Sequence, residues 1–570
     1  MTMSIQEATE MLTAPGQMFE METIEIRGVP TRVWKNTPAS LRDVLELSRG
    51  HGDADFLVYE DDRISFEEHF RQAAHLARVL VERFGVEKGD RVAIVMRNFP
   101  EWVAAFWAAA AAGAVVVPLN AWWAADELQF GLDDSGTTVV FADEERMERL
   151  REVDLKTGDR TLIVVRAEGE PDAGWLRYED VVGDVPTDAA LPDVEIDPED
   201  DATIFYTSGT TGRPKGALGT HRNICTNLMS LFFVSSRQSA RGGGALIDEG
   251  GEDQERPPTQ NAYLLSVPLF HATGCHSVLV SNTAAGGKLV MMHKWDATRA
   301  LELIERERVT IFGGVPAMAW QVVEHPDFDR YDTSSVRSVS YGGAPAAPEL
   351  VRLIRERFPK VSPGNGYGLT ETSSVTSMNT GDDYVRKPES VGPAVPVCDV
   401  KVVGADGETL PIGEVGELWI KGPNVVKGYW NRPDATAETI TDGWLHTGDV
   451  ARLDEEGFIY IVDRAKDMVI RGGENVYCVE VESVLYEHPA VSDAAVFGVP
   501  HKVLGEEVGA AVQVTGDVTV EELQEWVRAR LADFKVPRYI DLRPEPLPRN
   551  PQGKILKREL REELAPRWAG

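Results

Sequence analysis

Cysteine is scarce in this chain of 570 residues: Cys225, Cys275, Cys398 and Cys478 stand far apart, with no CxxC spacing. That excludes a disulfide framework and a thiolate zinc site, and it predicts a reducing, cytoplasmic location. Positive charge is also in short supply. Lysine and arginine number 58 against 92 aspartates and glutamates, a net charge of −34. Such a molecule repels polyanions, which argues against nucleic acid as a partner. The first twenty residues hold no lysine or arginine, so neither a secretory signal nor a transit peptide is predicted. Long apolar runs are absent with one exception, Trp102 to Leu119, which approaches membrane-spanning length. Gly113 and Pro118 punctuate it, so it reads as a buried helix followed by a buried strand, and no integral membrane segment is expected. Internal repeats are absent too.

What is present fits a globular protein, 43% hydrophobic and 26% charged, with enough length for three or four folding units. Ser65 to Gly85 predicts a helix: Ser65 and Glu68 have capping-box spacing, and Gly85 can stop it in a left-handed turn. Strand-like Arg91–Met96, Val115–Leu119 and Thr138–Ala142 alternate with helical stretches, and the alternation resumes from Ala262 to Tyr341. This predicts an α/β fold with parallel sheets covered on both faces. Short Val- and Gly-rich runs from about 390 to 462 predict a β-rich subdomain. A boundary is expected at Asp463, separating a large N-terminal domain, 1–462, from a small mobile α+β domain, 463–570. Residues 236 to 260 are Gly-rich and polar and predict an exposed loop.

The first chemical motif is Tyr206 to Gly216, YTSGTTGRPKG. Gly209, Gly212 and Gly216 allow tight turns whose backbone amides can point at oxyanions. Thr207, Ser208, Thr210 and Thr211 offer hydroxyls, and Lys215 adds charge. Walker A spacing is missing, because Lys215 is followed by Gly216 rather than Ser or Thr. A P-loop NTPase is therefore disfavoured.

This loop resembles the signature of the adenylate-forming superfamily, which includes acyl-CoA synthetases, peptide-synthetase adenylation domains and luciferases. The family's other motifs follow in order: Pro268–His271 (PLFH), Tyr341–Pro345 (YGGAP), Asn365–Thr372 (NGYGLTET), Trp444–Asp449 (WLHTGD), Asp463–Asp467 (DRAKD), Gly472–Asn475 (GGEN) and Pro548–Lys554 (PRNPQGK). The resemblance spans about residues 40 to 560 and fits the acyl-CoA synthetase branch. It implies that ATP and coenzyme A are substrates and that Mg²⁺ accompanies the nucleotide, held by Glu371 and Thr207. Gly343, Ala344 and Pro345 resemble the segment lying against adenine. Asn365, Gly366, Tyr367, Gly368 and Thr370 resemble the turn that completes the nucleotide site. Asp449 and Arg464 resemble the ribose pair. Lys554 is expected to bridge the reacting carboxylate and phosphate, offsetting the repulsion of anion by anion. His271 is expected to gate the acyl pocket. Asp463 and Lys466 resemble the hinge, and Arg471, Gly472, Gly473 and Glu474 the coenzyme A loop. One departure from the family is visible: Cys478 stands where a proline is usual.

Within the expected acyl pocket, Ala272, Gly313, Gly314, Val315, Ala317, Gly342 and Gly343 are small or apolar. No arginine or lysine is placed to pair with a second carboxylate. These residues favour a medium- or long-chain fatty acid, with an aryl or arylalkanoic acid as the alternative. Transfer to a carrier protein or an amine is a further alternative, and a homodimer stays open.

Overall fold

The computed structural model describes residues 3–155, 159–207, 214–242, 260–343, 348–464, 467–472, 474–550 and 554–568. Two eight-stranded sheets form the bulk of the molecule. The first runs Gly428–Tyr429, Lys215–Thr220, Asp201–Thr207, Val115–Pro118, Arg91–Val95, Val139–Asp143, Thr161–Val165, Trp175–Arg177. Its strands are parallel from Asp201–Thr207 onward, and Lys215–Thr220 closes one side as an antiparallel hairpin. The second sheet has a parallel centre, Ser362–Tyr367, Ser338–Gly342, Ile311–Gly314, Ala262–Leu265, Lys288–Met291 and Asp55–Tyr59, flanked by antiparallel edges.

The helix Pro100–Ala111 explains the long apolar run. Eleven of its residues are buried, and it shares one core with Leu57 of the second sheet and Val92 and Ile94 of the first. A helix covered all round must be apolar all round, whether its cover is lipid or protein. Among the described residues no helix is long and apolar enough to cross a membrane. The helix Phe66–Glu82 forms as expected, with the Ser65 and Glu68 capping box in place.

A six-stranded, mainly antiparallel sheet follows, containing Asp399–Val403, Gly416–Lys421, Trp444–Leu453 and Phe458–Arg464. After Arg464 the chain enters another sheet, built on the long hairpin Val491–His501 and Gly505–Val514, with Val469–Arg471 at its side. The change of sheet thus falls between Arg464 and Val469.

The expected loop at 236–260 is corrected at its start. The helix His221–Ala240 continues through it, with Arg237 and Gln238 buried. Gln238 donates to Ser362 Oγ at 2.6 Å, and the Arg237 guanidinium lies over the Phe233 ring. These tertiary partners outweigh the local Ser- and Gly-rich composition. Residues 243–259 lie outside the described residues.

Four enclosed imidazoles give the fold an acid-labile core. Burial pushes His69 and His271 down to about 3, and His221 and His276 down to about 4. His221 Nδ1 accepts the Leu41 N–H at 3.1 Å and needs its lone pair to do so. The unfolded imidazoles bind protons near pH 6.5, well above the folded ones. The stability they contribute is therefore complete above pH 6.5 and is lost as pH falls toward 4, by up to about 3 kcal/mol each. Burial raises Asp463 and Glu482, which works in the opposite direction. Denaturant titrations should show constant stability from pH 8 to 7 and a steep fall from 6 to 4. His221→Gln, which keeps an acceptor for Leu41, should flatten part of that fall. Stability that stayed constant down to pH 4 would refute this account.

Candidate active site

The site begins where two central strands of the second sheet end. Gly342 and Gly366 are paired across neighbouring parallel strands. A Cβ on Gly342 would lie 2.4 Å from the Gly366 carbonyl, so the strands meet here with bare backbone. Gly343 turns away at φ +73°. This leaves a slot without side chains at the carboxyl ends of parallel strands, where α/β folds bind ligands. Ala344 and Pro345 lie outside the described residues. Asn365 is buried and hydrogen-bonds with the Tyr384 hydroxyl, which also pairs with Tyr341 at 2.8 Å. Asn365 is thereby held behind the slot. Thr370 and Glu371 open a short turn of helix immediately beyond.

Tyr367 links this sheet to the antiparallel one. Its hydroxyl donates to Asp449 Oδ2 at 2.6 Å. Asp449 and Arg464 face each other across adjacent strands, and Arg464 Nε lies 2.9 Å from Asp449 Oδ1. Asp449 is 2% exposed, and both of its oxygens are engaged, as a buried carboxylate requires. Burial opposes the charge on Arg464, but Asp449, then Tyr367, Asp467 and Glu371, outweigh it and raise its pKa. Each carboxylate oxygen keeps a second lone pair, enough for the two hydroxyls of a ribose.

The first sheet contributes the base of the Gly/Thr-rich loop. Thr207 and Lys215 form the last pair of an antiparallel hairpin, and Thr207 Oγ1 donates to the Lys215 carbonyl at 3.3 Å. Ser208, Gly209, Thr210, Thr211 and Gly212 lie outside the described residues. Lys215 Nζ stands 5.1 Å from the centre of the Tyr429 ring, and the Tyr429 hydroxyl donates to Glu371 Oε1 at 2.7 Å. Lys215, Tyr429 and Glu371 thus join the loop base to the nucleotide turn. Tyr429 was missed from sequence because no spacing or composition marks it. The bond from Tyr429 leaves Glu371 Oε2 for a hard cation. Among the described residues no group of three potential ligands exists. The single unengaged oxygen of Glu371 suits a Mg²⁺ that would take one carboxylate here and its remaining ligands from phosphate and water.

Lys554 approaches from the C-terminal domain. Asn550 N–H donates to the Lys554 carbonyl at 2.8 Å, and Lys554 N–H donates to Asn550 Oδ1 at 2.9 Å, so the two residues brace each other. Its charge acts on His271 of the large domain. Burial of that imidazole, and secondarily the Lys554 charge, push it down to about 3. His271 is neutral at physiological pH and can act by shape and hydrogen bonding, not by charge.

The remaining predicted residues belong to the C-terminal sheet. Arg471 is paired with Glu507, Gly472 N–H donates to the Leu504 carbonyl at 2.8 Å, and Glu474 is exposed. Asp463 is buried and accepts the Cys478 backbone N–H, a bond that a proline at 478 could not make. Lys466 and Gly473 lie outside the described residues.

A cleft extends inward from the slot. Its floor is the strand Ser338–Gly342 with its neighbours, and its roof is the helical segment Thr273–Ala285, a π-helical stretch that continues as α-helix. Gly314, Gly342 and Gly343 line it as expected, with Thr273, Ser340 and Val375 beside them. Gly313 does not, because a Cβ there would sit 1.6 Å from the Ser340 carbonyl and the strand is closed against its neighbour. Ala272, Val315 and Ala317 also fall outside the lining. The roof residues Ser277, Ser281 and Asn282 were missed, although polar positions at four-residue spacing from Thr273 in an apolar segment were a usable signal.

A bare-backbone slot at the carboxyl ends of parallel strands, a buried carboxylate–guanidinium pair beside it and a cleft running inward suit a nucleotide placed next to an organic acid. The model of the AMP-binding enzyme family matches residues 46–430, and that of its C-terminal domain matches 480–554. The chain belongs to the AMP-binding enzyme family, in its acyl-CoA synthetase branch. A feruloyl-CoA synthase from an Amycolatopsis species is 38% identical over 504 residues, covering 88% of this chain and 94% of the relative. The long-chain-fatty-acid–CoA ligase FadD13 of Mycobacterium tuberculosis is 36% identical over 511 residues, covering 89% and 94%. The o-succinylbenzoate CoA synthetase MenE of Bacillus subtilis, solved with its acyl-adenylate intermediate, superposes with a TM-score of 0.75 at 29% identity, covering 92% of this chain and 98% of that one.

Asp449→Asn removes the charge that holds Arg464 and weakens acceptance of two hydroxyls. Losing hydrogen bonds to a charged group costs about 1.5–3 kcal/mol. In a pyrophosphate-release assay the KM for ATP should rise about 10- to 100-fold. An unchanged KM would remove Asp449 from the nucleotide site.

Proposed function

We propose that the protein is an AMP-forming acid–CoA ligase working in two steps on one cleft. In the first, the acid's carboxylate oxygen attacks the α-phosphorus of ATP, the bond from that phosphorus to the bridging oxygen breaks, and pyrophosphate leaves. In the second, the coenzyme A sulfur attacks the acyl carbonyl, the carbon–oxygen bond breaks, and AMP leaves as the thiol proton passes to solvent. The observation carrying this reading is the junction at Gly342, Gly366 and Tyr367, where the Asp449–Arg464 pair and the inward cleft open onto one slot.

Each residue has a task set by charge. Lys554 stabilises negative charge on the carboxylate and α-phosphate as they meet, when repulsion is greatest. Lys215 and the backbone amides of 208–212 hold the outer phosphates. Asp449 takes the ribose hydroxyls, and the slot at Gly342–Gly343 takes adenine. Mg²⁺, held by Glu371 with Thr207, neutralises phosphate charge when bound. His271 closes the acyl side as a neutral wall.

Coenzyme A then requires the small domain to turn about Asp463 and Lys466, withdrawing Lys554 and presenting Arg471, Gly472, Gly473 and Glu474. The bond from Cys478 N–H to Asp463 ties the hinge residue to the small domain's first helix. The acid is monocarboxylic, a reading supported by the absence of arginine and lysine from the cleft lining among the described residues. Its elongated shape accepts either an alkyl chain or an aryl acid, the two acid classes in the names of the relatives reported above.

Lys554→Ala should slow acyl-adenylate formation about 100- to 1000-fold. The same variant should still form thioester from supplied acyl-AMP and coenzyme A at near the parental rate. Equal loss of both half-reactions would contradict the assignment.

A further inference from the structure

The small domain's first helix, Cys478–Tyr486, begins without a cap of its own. Its N-cap residue is Tyr477, whose side chain makes no capping bond. The acceptor comes from the large domain instead. Asp463, buried near the end of the strand Phe458–Arg464, takes the Arg464 backbone N–H on Oδ1 at 2.7 Å and the Cys478 backbone N–H on Oδ2. A carboxylate on the open amides of a helix N-terminus is a strong, charge-assisted contact.

A second bond leaves the same cysteine. Cys478 Sγ donates to the Asp467 carbonyl at 3.0 Å. Just after Asp463 the chain turns: the Asp467 and Met468 N–H groups both donate to the Arg464 carbonyl, at 2.9 and 3.1 Å. Cys478 therefore holds both ends of the stretch that joins the domains. It is buried in the small domain's core with Val469, Val476, Val481 and Leu485. Asp463 is fixed in the large domain's sheet by its strand pairing with Val450. The bond between Asp463 and Cys478 thus crosses the domain boundary. A turn of the small domain carries Cys478 away from Asp463 and leaves a buried carboxylate oxygen and a helix amide unpaired, which is costly.

We infer that Cys478 is a positioning residue whose backbone amide latches the two domains in the arrangement described here, so that this arrangement is the enzyme's resting state and release of the latch precedes thioester formation. The inference rests on the two-step ligase reading above and adds what sets the balance between its steps. A proline, usual at this position in the family, has neither the N–H nor the thiol, so neither bond could form. The latch is therefore a property of this chain. It favours the domain arrangement that carries out adenylation and holds back the one that admits coenzyme A.

Cys478→Pro tests this while sparing the helix. Proline is favoured at the first helical position, and Tyr477, at φ −81° and ψ 115°, already has the backbone that a following proline requires. Two half-reactions are measured on the intact enzyme. One is pyrophosphate release from ATP and Mg²⁺ with decanoate or cinnamate, whichever the parental enzyme uses faster. The other is single-turnover thioester formation from the corresponding acyl-AMP and coenzyme A. Losing a hydrogen bond to a charged group shifts the balance of arrangements about 10- to 100-fold. Cys478→Pro should therefore speed thioester formation about 10-fold or more and leave pyrophosphate release within about 3-fold. Cys478→Ala keeps the N–H and loses only a weak S–H donor, so both rates should stay within about 3-fold of the parental ones. Asp463→Ala removes the acceptor and should also speed thioester formation, and adding Cys478→Pro to it should change nothing further. If Cys478→Pro does not fold, Asp463→Ala decides alone, and thioester formation no faster than the parental rate overturns the inference. Slowing of both half-reactions by Cys478→Pro, or an effect of Cys478→Ala as large as that of proline, overturns it and leaves the ligase reading standing. A parental enzyme that releases pyrophosphate but makes no thioester overturns the two-step reading as well.

Discussion

Bringing one anion against another inside a protein of net charge −34 is the constraint on which this site depends. Five basic residues marked the site in the sequence: Lys215, Arg464, Lys466, Arg471 and Lys554. The structure uses them unequally. Arg464 is neutralised by Asp449, and Arg471 by Glu507. In the proposed reaction, Lys215 and Lys554 supply the positive charge that meets the substrates. One stands on the large domain and the other arrives with the small one. A cation on a movable domain can be present when carboxylate meets phosphate and absent when the thiol needs the same space.

The site lies where three sheets meet, and a few long-range bonds hold the meeting point. Tyr367 of the second sheet reaches Asp449 of the antiparallel sheet at 2.6 Å. Tyr429, at the edge of the first sheet, reaches Glu371 of the nucleotide turn at 2.7 Å and supports Lys215 on its ring. Each bond anchors a carboxylate, and each uses a tyrosine as the neutral donor. The buried helix Pro100–Ala111 fixes the first two sheets relative to each other through a shared core. The geometry of the site thus descends from the packing of an Ala- and Trp-rich segment that superficially resembles a membrane span.

Much of this was legible in the sequence, because local rules and local partners coincide. The capping box at Ser65, the alternation of strands and helices, and the pairing of Asp449 with Arg464 all fall within short stretches or recognisable motifs. What could not be read depends on distant contacts. Arg237 and Gln238 are helical and buried because Phe233 and Ser362 receive them. Tyr429 acquires its role only through a strand pairing more than two hundred residues away. Arg471 loses its expected freedom to Glu507, 36 residues later. The roof of the acyl cleft is intermediate. Its polar spacing was visible, but which face of the helix looked into a cavity was not.

The most direct test of the account is the fate of a labelled oxygen. With an acid carrying ¹⁸O in both carboxylate oxygens, ATP and coenzyme A, attack on the α-phosphorus followed by loss of AMP should leave one labelled oxygen in AMP. Pyrophosphate should carry none. Label in inorganic phosphate, ADP as the nucleotide product, or unlabelled AMP would contradict it.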